Sequence, residues 1–292
     1  MATSMTQRTR APLKRAAPEP RYAAPALDKG LDILELLSTQ QRGSTRSEIA
    51  ERLQRSVGEI FRMIERLTQR GYLVQNDDTF TLGMKLFELS HQFPPMTRLL
   101  KEALPRMEHL ATAVDQSCHL SVLSGPRQLI VAQVDTPGGV GFSVKVGATL
   151  DLVKSASGRV LLAFRPDEDA RRLIALAEPD LTPAATKAVL TTIRQIAKTG
   201  FAFSPSRQFS GVEAISYPIL DLRRRVVAAL TVPYVTHLDD KTRTTASAAQ
   251  FALAAVAADI NVVIGSGPTG SAATSKLDAV DGAPRSTHTS AR

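Results

Sequence analysis

Tryptophan is absent from the 292 residues, and cysteine occurs once. Aromatic residues make up 5% of the chain, too few for a lectin-like stacking surface or an aromatic cage. The single Cys118 excludes an internal disulfide framework and fits a reducing cytoplasm. No run of 18 apolar residues occurs, so the sequence predicts no transmembrane helix and no membrane partner. The basic residues near Met1 precede no apolar stretch, which argues against a secretory signal. Paired metal-ligand spacing is missing too. Cys118-His119 has no second cysteine, and His91, His109, His237 and His288 stand apart, so no metal and no cofactor is expected; weak zinc binding through carboxylates is the alternative. Gly265-x-Gly267-x-x-Gly270 matches the letters of a dinucleotide fingerprint. A helical pattern precedes it, and Pro268 and a polar tail follow, so the context is wrong. Ser155 or Ser157 with His119 offers a nucleophile and a base, but no nucleophile elbow supports them, and no catalytic residue is assigned.

Basic residues, by contrast, are in excess: 36 Lys and Arg against 28 Asp and Glu, a net charge of +8. That balance favours a polyanionic partner. Part of it lies at the start of the chain, where Arg8, Arg10, Lys14, Arg15 and Arg21 face only Glu19.

The most informative stretch is 45–82. Thr45-x-x-Glu48 and Ser56-x-x-Glu59 are two capping boxes, separated by room for one sharp turn. Ile49, Ala50 and Leu53 give the first helix an apolar face. Ile60, Met63, Ile64 and Leu67 do the same for the second. Gly58, Arg62, Glu65 and Gln69 then point the opposite way, with Glu59, Phe61 and Arg66 on the flanks. A hairpin follows, turning at Asn76-Asp77-Asp78. The order predicts a winged helix-turn-helix, with the second helix suited to a DNA major groove. The alternative is a small helical hairpin inside a larger core. Arg62 is the expected base reader or phosphate clamp, since an Arg fork matches guanine O6 and N7. Gly58 permits close backbone approach, and Phe61 is a candidate for a thymine methyl or for packing. Glu59 either completes the capping box or accepts from cytosine. Arg46, Ser47, Arg55 and Arg66 are phosphate candidates, and the helix start at Ser56 offers amides to a phosphate.

Around this stretch the organisation is as follows. Residues 1–24 form an aperiodic basic arm, and 25–83 the winged domain with a supporting helix at 26–38. Residues 84–114 are linker helices, broken at Phe93-Pro94-Pro95 and resuming at 97–114, with Pro105 placed to shift the start. From 115 to 265 short strands (119–123, 128–134, 142–146, 201–203, 212–220, 226–232) alternate with helices (155–164, 167–177, 183–198, 239–264), which predicts an α+β domain with a mixed, mostly antiparallel sheet. Residues 266–292 form a Ser/Thr/Gly/Ala tail without periodicity. In the second domain, 154–158 precedes a helix, and amides at such a terminus favour an anion such as a carboxylate.

Taken in order, several segments resemble the isocitrate lyase regulator (IclR) family of bacterial transcription factors. They are LDKGLDIL at 27–34, SEIAERL at 47–53, Arg62 to Tyr72, ASGRVLLAF at 156–164, Gly200-Phe201-Ala202, Gly211-Val212 with Ile215 and Pro218, and VAALTV at 227–232. The resemblance spans about 26–265. It implies a GAF-like effector-binding domain behind the winged helix, a homodimer or dimer of dimers on a palindromic operator in double-stranded DNA, and a small organic effector. It also implies a basic residue at Arg62, and effector contacts at Ser155, Ala156, Ser157, Gly158, Ala214, Ser216 and Thr231. Ser204 near the same end, and His119 and Ser121 on an inward strand, join this set. Helix capping is the plain alternative for the serines. Some family members place Cys where Ala214 stands and an acid near Ser204, so a ligand larger or more apolar than glyoxylate is expected. A rear domain that only dimerises is the rival reading.

Overall fold

The computed structural model describes residues 24–138, 141–206, 209–236 and 244–265. The expected arm before Ala24, the tail from 266 and the fingerprint glycines beyond Gly265 lie outside the described residues. The chain divides into two compact units, Met1–Phe93 and Pro94–Arg292.

In the first unit, helix α1 (Pro25–Ser38) is followed by the short strand β1 (Ser44–Thr45), α2 (Arg46–Arg52) and α3 (Val57–Gln69). Strands β2 (Leu73–Asn76) and β3 (Thr79–Leu82) then form the wing, and α4 (Lys85–His91) ends the unit. Both capping boxes form: Thr45 and Ser56 accept from the amides of Glu48 and Glu59, whose carboxylates accept from the Thr45 and Ser56 amides. These caps fix where α2 and α3 begin, and so aim their apolar faces. Ile49, Ala50, Ile60 and Ile64 are buried with Ile33, Leu37, Leu73 and Phe80 in one core. The wing is an antiparallel pair with Leu73 opposite Leu82, and Asp77 makes the turn with φ 54°. β1 pairs with β3, placing Ser44 opposite Phe80. A two-residue strand carries no periodic signal, so the sequence did not predict it.

The second unit is built on a six-stranded sheet. Its strands are β4 (Cys118–Ser124), β5 (Arg127–Val134), β6 (Thr149–Asp151), β7 (Ala202–Pro205), β8 (Val212–Leu220) and β9 (Val226–Val235), in the order β6-β5-β4-β9-β8-β7. All five pairings between described strands are antiparallel, and the expectation was a mixed, mostly antiparallel sheet. One face is covered by α5 (Pro94–Val114) and α9 (Ala246–Gly265), which bury Met107, Leu110, Leu253 and Ile260 against Leu120, Ile215, Leu230 and Val232. The other face carries α6 (Ala156–Ala163), α7 (Asp167–Ala177) and α8 (Pro183–Thr199), with Val160, Leu161, Ile174 and Ile193 in a second core.

Three expectations change here. The strand predicted at 142–146 does not form, and a strand forms at Thr149–Asp151 instead, pairing Gln128 with Leu150. The helix expected to resume at Thr97 begins at Pro94, because prolines in a first turn lack only amides that have no partner there. It also runs through Pro105, where Arg106 donates from its side chain to the Glu102 carbonyl at 2.8 Å. The last helix begins at Ala246, and 239–243 lie outside the described residues. By length and composition α9 is apolar enough to cross a membrane, although Gln250, Asp259 and Asn261 interrupt any strict apolar run. Its Ala249, Leu253, Ala257 and Ile260 are buried in the sheet's core.

Gly158 sits where α6 meets the chain before it. A Cβ there would lie 2.2 Å from the Leu152 carbonyl oxygen. Gly158→Ala is therefore expected to destabilise the second unit by about 2 kcal/mol through overpacking, in the absence of any ligand. Urea unfolding of the two proteins, compared at equal slope, checks this.

Candidate functional site

Two regions collect the residues singled out by the sequence. In the first unit, α3 turns Ile60 and Ile64 inward, which leaves Val57, Gly58, Phe61, Arg62, Arg66 and Gln69 exposed. Phe61 is 46% exposed, more than a core-packing role allows. Nothing lies within 4 Å of a Cβ placed on Gly58, so packing does not require glycine there. Arg62 is exposed and makes no hydrogen bond or ion pair to any described residue. Arg66 donates to Gln69 at 2.9 Å on the same surface, and Ser47 is exposed on α2.

Three residues of the expected set are committed elsewhere. Arg46 pairs with Glu65 at 2.9 Å, with its guanidinium over the rings of Phe61 and Phe80. Arg55 pairs with Asp32 on α1 at 2.8 Å. The Glu59 carboxylate accepts from the Ser56 amide and from Lys29 Nζ at 3.0 Å. The Ser56 amide, then Lys29 and the Ser56 hydroxyl, hold its carboxyl down at about 2. It is thus the closing half of a cap and not an open acceptor for cytosine. The same carboxylate occupies the start of α3, which works against a phosphate there.

The second region is a pocket between the start of α6 and the sheet. Asp151 accepts from the amides of Val153 and Lys154 at 2.8 and 2.7 Å, which turns the chain into α6. Ser155 caps the helix by accepting from the Gly158 amide at 3.0 Å. Gln128, fully buried on β5, donates to the Asp151 carbonyl and to the Ser155 hydroxyl. Unlike α2 and α3, α6 has no acidic residue in its first turn. Its dipole and the amides of Ala156 and Ser157 are left to whatever enters the pocket.

Of the ten residues expected at this site, seven line the pocket: His119, Ser155, Ala156, Ser157, Ser204, Ala214 and Thr231. Ser121, Gly158 and Ser216 do not. Ser216 lies next to Thr231 across the β8–β9 pair, and their hydroxyls bond at 2.9 Å. Gly158 is tied to Leu152 by packing, and Ser121 is fully buried beyond His119 on β4. The apolar walls were not foreseen. They include Phe142, Val144, Leu150, Phe209, Val212 and Pro233, with Phe142 and Phe209 edge to face at 4.7 Å between centroids. The free volume is about 50 Å³, enough for a few waters. His119 is 4% exposed, and neither ring nitrogen has a partner among the described residues. Burial pushes its pKa down to about 4, so the ring is neutral. Cys118, next to it but facing the other core, is pushed up to about 12 by burial and is an inert thiol. Among the described residues no group of three His, Cys, Asp or Glu is placed to hold a metal.

Two family profiles match the chain: "IclR helix-turn-helix domain" over residues 26–77 and "Bacterial transcriptional regulator IclR C-terminal" over 95–262. The chain is similar to the HTH-type transcriptional regulator KdgR of Escherichia coli, with 24% identity covering 71% of this chain and 81% of that protein. It is 29% identical to the glycerol operon regulatory protein of Streptomyces coelicolor, covering 71% and 83%. Among solved structures, an IclR homolog from Microbacterium hydrocarbonoxydans complexed with 4-hydroxybenzoate has a TM-score of 0.67 at 23% identity, covering 82% of this chain and 98% of that one. That last likeness establishes the fold, and the two profiles, which together span most of the chain, show that it belongs to the IclR family of bacterial transcriptional regulators.

Proposed function

We propose that this regulator reads a palindromic operator through α3 as a homodimer, or a dimer of dimers, and that a small organic acid in the second unit's pocket changes its affinity for DNA. One observation carries the DNA half. On the outer face of α3, Arg62 has no partner among the described residues, while Arg46 on α2 and Arg55 before α3 are paired with Glu65 and Asp32. Ser47, Gly58, Phe61 and Arg66 are assigned supporting contacts around it, and Ser56 serves as the cap of α3. The effector half is supported by the open helix start of α6 and the orphaned His119 in one pocket. A neighbour of the same fold carries 4-hydroxybenzoate, which makes an aromatic acid a sensible first ligand. In the present pocket such a ring requires the Phe142–Phe209 wall to move.

Dimerisation is supported by an apolar groove on the first unit, lined by Leu27, Leu31 and Leu34 of α1, Met63 and Leu67 of α3, and Leu86 and Leu89 of α4. Leu27 is 61% exposed and Leu31 46%, an arrangement that a lone domain does not favour. Two copies of α3 on one duplex require half-sites about one helical turn apart, or a multiple of it. The regulator acts where the DNA is, in the cytoplasm, and turns over no substrate.

Arg62→Ala is expected to weaken operator binding at least about tenfold while the far-ultraviolet circular dichroism stays unchanged. Fluorescence anisotropy on a labelled operator reads it, and an unaltered affinity refutes the assignment. Leu31→Glu is expected to lower the molar mass seen by light scattering toward the monomer. In a thermal-shift screen an acid that binds only the folded chain must raise the midpoint with its concentration. A screen of aliphatic and aromatic acids that moves nothing leaves the second unit as a dimeriser, and any turnover there contradicts the non-enzymatic reading.

A further inference from the structure

A second cleft opens between α6, α8 and β7, and shares Ala156 and Ser204 with the pocket described above. Its free volume is about 570 Å³ against about 50 Å³ in that pocket, a size at which small-molecule sites are ordinarily found. Ile196, Phe201 and Ala202 supply apolar wall. Among the described residues that line it none is acidic, and Arg159 is the only charged one. Arg159 is 6% exposed, and its Nε donates to the Val153 carbonyl at 2.8 Å, which restrains the guanidinium at the cleft. Gln195 and Ser204 add a side-chain amide and a hydroxyl, neither of which bonds a described residue. The Thr191 and Thr192 hydroxyls differ, since they donate back to the carbonyls of Lys187 and Ala188 in their own helix.

We infer that this cleft is a second ligand site, distinct from the effector pocket, for a small molecule that carries a phosphate or a carboxylate on an apolar body, with the oxyanion held by Arg159. A guanidinium fork matches the oxygens of either group, and a charge-assisted bond is stronger in a buried setting than in water. The described lining supplies N–H and O–H donors, and no carboxylate that would repel an anion or hold a cation. An uncharged ligand would fill the apolar part and form no ion pair with Arg159. The site does not depend on the effector reading, but it is placed to modify it. Arg159 holds the carbonyl of Val153, just before the Ser155 cap of α6, and Ala156 and Ser204 line both cavities. A ligand that engages Arg159 therefore bears on the wall that the effector pocket shares.

The test is calorimetric titration of the full chain with phenyl phosphate, phenylacetate and, as the uncharged control, benzyl alcohol. At least one of the two anions is expected to bind at least about tenfold tighter than benzyl alcohol, and which of them does so tells phosphate from carboxylate. Arg159→Gln, which removes the charge, and Gln195→Trp, which fills the cleft from the exposed side of α8, should each weaken that binding at least about tenfold. Hydrogen exchange with the ligand bound should slow over 191–199, residues that line the cleft and not the effector pocket. Circular dichroism and the thermal midpoint verify that each variant is folded, and the Gln195 variant keeps the test open if the Arg159 variant is not. No binding of either anion, equally tight benzyl alcohol, or binding that either folded variant retains overturns the inference. Protection over 142–150 without 191–199 also overturns it, because it places the anion in the effector pocket and leaves the effector reading standing.

Discussion

The first amides of a helix have no partner within it, and how each helix start is filled organises this molecule. At Thr45 and Ser56 the chain supplies its own carboxylates, Glu48 and Glu59, and the two starts are closed. At Ser155 the same capping hydroxyl is present, but the third residue of the helix is Gly158 instead of an acid. One local grammar therefore yields two outcomes. Closed starts make α2 and α3 rigid parts of a reading head. The unclosed start makes α6 one wall of a pocket, with no acidic residue in its first turn.

The electrostatics of the first unit follow the same division. Net positive charge draws the chain to DNA, but a reader needs its cations sorted. Glu65 and Asp32 take Arg46 and Arg55 out of the exposed set, and Lys29 braces α1 against the Glu59 cap on α3. All three pairs sit partly in solvent, so their contribution to stability is modest. What they do is direct: they tie Arg46, Arg55 and Lys29 to partners within the unit, and Arg62 is left without a partner among the described residues.

The parts legible in the sequence were those written locally. Capping boxes, the alternating face of α3 and the hairpin turn depend on residues within a few positions of one another, and Ile60, Ile64 and Leu73 landed in the core as their spacing required. Seven of the ten residues expected at the effector site line the pocket because the segment before α6 announces itself and the family resemblance named the strands. The failures were long-range. That Arg46 belongs to Glu65, or Gln128 to Ser155, is a statement about chain reversal that no window contains. The missing strand at 142–146 is the instructive case. Its alternation was real, since Phe142 and Val144 face one way, but they face the pocket, and the segment has no ladder partner. Periodicity reports which side chains turn inward; it does not say whether a neighbouring strand or a cavity receives them.

The tight seat of Gly158 on the Leu152 carbonyl has a consequence for how such a regulator diversifies. The α6 wall cannot yield, because its backbone is already in contact with the chain behind it. Phe142, Val144 and Phe209 come from segments outside the sheet, where exchange of a side chain disturbs no core. One wall of the pocket can therefore be edited alone, keeping α6 and the stability that its packing confers.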